Sequence, residues 1–133
     1  MTIEKINPDT LVHPHGYAQV VVATGSKLVL ASGQIGVDTG DHLVGKDYRS
    51  QAHRAALNAY AAISASGATP GDIVRFTVYV VDPTPEHLDD VYAGLGKAGK
   101  EAGAKATAMS LIGITGLSAP GAVVEVEATA VID

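Results

Sequence analysis

Hydrophobic and polar positions alternate with a period of two over several short stretches. Residues 16–24 (GYAQVVVAT) and 27–35 (KLVLASGQI) are rich in β-formers, and Gly25-Ser26 between them is a two-residue hairpin signal. In 72–82, Val74, Phe76, Val78 and Val80 alternate with Arg75, Thr77 and Tyr79. In 122–132, Val124, Val126, Ala128 and Ala130 alternate with Glu125, Glu127 and Thr129, and 107–115 reads as one more strand. Two segments follow the helical period instead. Over 47–66, Ala52, Ala55, Ala56, Ala59 and Ile63 share one face, with Asp47 as N-cap and Gly67 as the left-handed residue that ends the helix. A second helix opens at Thr84 with Pro85 in the first turn, and Leu88, Val91, Tyr92 and Leu95 recur at helical spacing. The glycine-rich run 94–104 (GLGKAGKEAGA) is predicted to fray into a loop.

The predicted order is β-β-α-β-α-β-β in a single domain spanning 1–133. Two helices with apolar faces cover one side of a single mixed sheet, which gives an α+β two-layer sandwich. By alternation the other side carries Thr77, Tyr79, Met109, Glu125 and Glu127, with Gln19 or Ser32 nearby. That mixture is too apolar for a solvated surface and too polar for a core. It predicts an oligomer interface with wet clefts, and a one-residue slip of register would invert it.

Composition narrows the function. The formal charge is −5 and no basic tract occurs, so nucleic-acid binding through phosphate contacts is not expected. There is no cysteine, which removes thiolate nucleophiles and Cys-ligated metals and fits a cytoplasmic protein. The start of the chain shows no secretory signal pattern. The uncharged run 106–124 contains Gly113, Gly116, Pro120 and Gly121, so it reads as two strands around a turn and not as a membrane span. With one Phe (Phe76) and no Trp, the core must be built mainly from small aliphatics. The histidines, including HPH at 13–15, form no pair spaced for one helix face, and neither a metal nor a cofactor is expected. GLGKAG (94–99) matches G-x-G-x-x-G only by letter, because it follows a helix. No G-x-S-x-G elbow is present.

Five segments, in order and at matching spacing, carry a family resemblance: HGYAQ (15–19), ASGQIGVDTG (31–40), QAHRAALNA (51–59), SGATPGDIVRFTVYVVD (66–82) and GLSAPGAVVEVEATAV (116–131). The chain resembles the Rid family, also called YjgF or L-PSP. The resemblance implies a chorismate-mutase-like fold and a homotrimer whose sheets form a central barrel, with a small-molecule cleft between each pair of copies. Well-known members hydrolyse 2-imino or 2-enamino acids to 2-keto acids and ammonia. Carried over residue by residue, the resemblance implies Glu125 and Tyr17 as catalytic groups, and Ser32, Gly33, Gln34, Tyr92, Met109 and Ser110 around the ligand. Tyr92 also has the spacing of a core residue.

Met109 is the departure. The position before Ser110 is where the family places an arginine that grips the substrate carboxylate. Methionine offers no donor and no charge. Losing one partner of a buried charge pair costs about 2–5 kcal/mol, so the usual imino-acid deaminase activity is expected to be weak or absent. Lys105 shares the strand parity of Met109 but would lie roughly 13 Å away along an extended strand. Arg75 and Arg54 are the other candidate cations. The expected function is an enzyme acting on a small, neutral or more apolar imine or enamine. The alternatives are a non-catalytic metabolite-binding or protein-interaction module and, against the acidic charge, an endoribonuclease.

Overall fold

The computed structural model describes residues 1–133. Its elements run β1 (Thr2–Ile6), β2 (Val20–Thr24), β3 (Lys27–Ile35), α1 (Tyr48–Ser64), β4 (Ile73–Val81), α2 (Pro85–Ala102), β5 (Ala108–Ile114) and β6 (Val124–Ile132), with a short 3-10 turn at Pro70–Asp72 before β4. Four strands form the main sheet in the order β3-β6-β4-β5. Pairing is antiparallel on both sides of β6 and parallel between β4 and β5, so the sheet is mixed as expected.

The N-terminal part differs from expectation. β2 does not form a hairpin with β3 across Gly25-Ser26; it pairs with β1, a strand that the alternation analysis passes over, in a separate antiparallel ribbon. Gly25 is a corner instead of a hairpin turn. A Cβ there would sit 2.6 Å from Val131 Cγ1 and 2.8 Å from the Ile132 carbonyl, so only glycine lets the chain turn so close to the end of β6. The other end of the ribbon is held at β5, where the Ala18 N–H donates to the Thr107 carbonyl at 2.9 Å and Ala18 bridges to Ala108.

α1 starts where its cap predicts. The Asp47 side chain accepts from the Ser50 N–H at 2.8 Å. It ends two residues before the expected Ser66: its last turns tighten through Ser66 N–H to Ile63 O and Gly67 N–H to Ser64 O, and Gly67 then takes φ +91°. Ala52, Ala55, Ala56, Ala59 and Ile63 are fully buried between α1 and its neighbours, Ala52 at the crossing with α2.

α2 is longer than predicted and includes nearly all of 94–104. Val91, Leu95 and Ala98 are buried, and their burial outweighs a glycine penalty of about 1 kcal/mol per site relative to alanine. Gly103, at φ +69°, caps the end. Gly94 is where α2 crosses α1: a Cβ would lie 2.3 Å from the Arg49 carbonyl oxygen. α2 leans chiefly on α1, while α1 covers β3 and β6.

Gln51 joins these parts. Its side chain is fully buried; Nε2 donates to the Gly45 and Gly121 carbonyls, both at 3.0 Å, and Oε1 accepts from the Val123 N–H at 2.8 Å. One helix residue therefore fixes both the loop leaving β3 and the loop entering β6. Gln51→Leu keeps the volume but strands two carbonyls and an amide. It is expected to destabilise the fold by about 2–4 kcal/mol in urea unfolding; a loss under roughly 0.5 kcal/mol contradicts this role.

Candidate functional site

Register decides which face each candidate occupies. Met109 pairs with Phe76 in the parallel β4–β5 ladder, and Phe76 is buried on the helix side. Met109 therefore points under the helices and not onto the face that carries Thr77, Tyr79, Glu125 and Glu127. This corrects the parity inferred from sequence; with no alternation of its own, β5 gives no register. Ser110, one residue on, pairs with Thr77 and lies on the opposite, open face, where its hydroxyl accepts from Arg75 Nη2 at 2.8 Å.

A cavity of about 620 Å³ lies beneath α2. Met109 and Leu111 of β5, Phe76 of β4 and Tyr60 of α1 form its inner wall, and α2 supplies Tyr92 and Leu95. Tyr92 is half-exposed and faces this space, so its helical spacing does not place it in the core. Tyr17 closes one side. Its segment is held by the Ala18–Thr107 bond, and its hydroxyl accepts from Gln19 Nε2 at 3.4 Å. The buried Thr107 hydroxyl donates to the Ile73 carbonyl at 2.9 Å and anchors the approach to β5. Tyr17, Tyr92 and Met109 thus come together as one group.

Lys105 is not on a strand, because β5 starts at Ala108; together with Lys100 it lines the same cavity as Met109. The expected separation along an extended strand therefore does not apply. Arg54 and Arg75 do not line it. Sequence reasoning misses Tyr60. Its helical spacing gives only a core position, and its ring stacks on Phe76 at a centroid distance of 5.8 Å. Burial raises the pKa of the Tyr60 phenol, so it remains a proton donor.

The other candidates form a second group. The β3–β6 ladder shifts register between Ala31 and Gln34, and the irregularity sets Ser32 and Gly33 beside β6. A Cβ on Gly33 would lie 2.6 Å from Glu125 Cδ, so the carboxyl rests directly on this glycine. Gln34 Nε2 donates to the Ser32 carbonyl at 3.2 Å. β3 and β5 are opposite edges of the four-stranded sheet, so the Ser32–Gly33–Gln34–Glu125 group and the Tyr17–Tyr92–Met109 group do not meet within one chain. No cluster of three or more His, Asp or Glu side chains is arranged to hold a metal, and no helix is long and apolar enough to cross a membrane.

Two helices on one face of a mixed sheet in this strand order define a chorismate-mutase-like α+β domain. The chain belongs to the endoribonuclease L-PSP family, the Rid family, whose sequence pattern matches residues 9–132. Among solved structures it is similar to YyfB of Yersinia pestis, a Rid-family protein of unknown function, at 31% identity and a TM-score of 0.88, covering 99% of this chain and 100% of that one. It is also similar to Escherichia coli TdcF with bound serine, at 27% identity and a TM-score of 0.72, covering 92% of this chain and 91% of that one. Over 55 residues it is 42% identical to the 2-iminobutanoate/2-iminopropanoate deaminase of Salmonella typhimurium. That stretch is 41% of this chain and 43% of the deaminase, less than half of either.

On the open face, the Tyr79 hydroxyl donates to Glu127 Oε1 at 2.5 Å. This bond, with burial and the nearby Glu127 and Glu125 charges, raises the Tyr79 pKa above its ordinary value near 10. A raised folded-state pKa means the folded chain holds the proton more tightly. The stabilisation is fully present below the unfolded pKa and is lost as pH rises through the folded value. Tyr79→Phe is therefore expected to flatten the fall in stability above about pH 10, measured by urea unfolding against pH. An unchanged slope contradicts the assignment.

Proposed function

We propose that this chain is a Rid-type hydrolase that adds water across the C=N bond of a small imine, or of the imine tautomer of a small enamine, and that it works as a homotrimer with its ligand clefts between copies. Water attacks the imine carbon, the nitrogen leaves as ammonia, and a carbonyl compound is the other product. Glu125 takes a proton from the attacking water and passes it to the nitrogen, giving a carbinolamine; the proton of the carbinolamine hydroxyl follows the same route to the nitrogen as the C–N bond breaks and the C=O bond forms. Tyr17 and the Ser32–Gly33–Gln34 backbone orient the ligand, and Ser110 and Tyr92 border it.

The observation that carries this reading is the separation of the candidates, with Ser32, Gly33 and the Glu125 carboxyl toward the β3 edge and Met109 on the β5 edge. One copy cannot bring Glu125 to Met109, whereas the β3 edge of one copy set against the β5 edge of another can. The open face also leaves Leu28 and Leu30 about two-thirds exposed on the β3 edge and Ile112 half-exposed on the β5 edge, as an interface between copies would require. Family membership and the partial match to an imine deaminase give the reaction class. The cysteine-free sequence is compatible with the cytoplasm.

With Met109 in place of the family's arginine, short 2-imino acids lose their carboxylate grip. Hydrolysis of 2-aminoacrylate is expected to be weak in the natural chain and to rise about tenfold or more in Met109→Arg. Vigorous turnover by the natural chain contradicts this account of the methionine. Glu125→Gln is expected to cut turnover of whichever imine is accepted about a hundredfold or more. Unchanged turnover removes Glu125 from the mechanism.

A further inference from the structure

α2 contains three interior glycines, and they are not alike. Gly94 is imposed by packing, because any side chain there would strike the α1 backbone. A Cβ at Gly96 would meet nothing within 4 Å, and one at Gly99 would make only ordinary contacts, 3.6 Å to Tyr60 Oη and 3.9 Å to Ala104 Cβ. Neither has a positive φ. Both cost helix stability, about 1 kcal/mol each relative to alanine, with no structural return inside the chain. What they leave is space, since both line the cavity beneath α2.

That cavity has a polar end. Tyr60 is only 9% exposed, and its hydroxyl makes no hydrogen bond within the chain. No side-chain oxygen or nitrogen sealed from solvent lacks a partner, so this hydroxyl is not sealed; it opens into the cavity beside Gly99 and Ala104. Lys100 and Lys105 flank the same two residues in sequence, line the same space and take part in no ion pair. The rest of the lining mixes apolar Phe76, Leu95, Met109 and Leu111 with His15, Tyr17 and Tyr92. A cavity of about 620 Å³ is in the range that holds whole small molecules, well beyond what a short-chain imino acid fills.

We infer that this cavity takes an organic monoanion with an aromatic body, its acidic group held by Lys100, Lys105 and the Tyr60 hydroxyl and its ring lying over Phe76 and Met109. The anionic anchor missing at position 109 is then supplied from the C-terminal end of α2 and the loop after it. Aromatic and thioether walls favour a flat ring over an aliphatic chain. This inference rests on the reading of the chain as a small-molecule protein and names the class of molecule.

The test is calorimetric titration of the full-length protein with phenylpyruvate, with pyruvate for the acid alone and phenethyl alcohol for the ring alone. Phenylpyruvate is expected to bind about tenfold or more tightly than either. Gly96→Leu fills the cavity without a backbone clash; it should abolish binding while the melting temperature holds or rises. Tyr60→Phe keeps the ring and should weaken binding several-fold, and Lys100→Ala with Lys105→Ala should remove the preference for the acid over the alcohol. Binding that survives Gly96→Leu, or no binding at millimolar phenylpyruvate, overturns the inference. So does a change of oligomeric state in Gly96→Leu by light scattering, which assigns the glycine to contact with another copy. Imine hydrolysis without phenylpyruvate binding defeats this inference alone. Cavity-dependent binding with no hydrolysis of any imine defeats the hydrolase reading alone.

Discussion

The alanine face of α1 sets the spacing at which the rest of the molecule packs. Ala52, Ala55, Ala56 and Ala59 are fully buried and let α1 lie close to β3 and β6 and, at Ala52, to α2. Nearby backbone is correspondingly tight, as at Gly36, where a Cβ would lie 2.7 Å from Gln51 Cα. α2 then rests on α1 more than on the sheet. The ground over β4 and β5 is left to a few long side chains, Tyr60, Phe76 and Leu95. A core so dependent on methyl groups has little bulk to spare there, and close packing stops short of the β5 edge. The cavity follows from that shortage as much as from any residue lining it.

Sheet order contributes the second constraint. β6 and β4 occupy the middle, so the strands that carry the candidate groups are separated. Glu125 is a central-strand residue that reaches outward across Gly33, while Met109 sits beneath the helices at the far edge. Under the proposed reading, chemistry that needs both would be assembled between molecules, at edges that are otherwise a liability in a sheet.

Much of this is legible in the chain. Alternation in 72–82 and 122–132 gives the central strands and their faces, because a strand between a helix layer and an open face must alternate. Asp47 and Thr84 give both helix starts, because capping is local chemistry. The failures are non-local. The Gly25-Ser26 pair looks like a hairpin, and only the position of Val131 and Ile132 makes it a corner. The glycines of 94–104 look like loop because burial of Val91, Leu95 and Ala98 cannot be weighed against propensity from sequence. Parity puts Met109 on the wrong face because β5 does not alternate cleanly. Tyr60 gives no signal, since an unpartnered hydroxyl is a property of its surroundings.

The Gln51 side chain has a consequence for how the molecule breathes. The Val123 amide is tied to a helix and not to a neighbouring strand. Its exchange with solvent is therefore coupled to the undocking of α1, although it stands at the threshold of β6. The loop behind the sheet and the helix above it open as a single unit, and a local fluctuation at one is transmitted to the other.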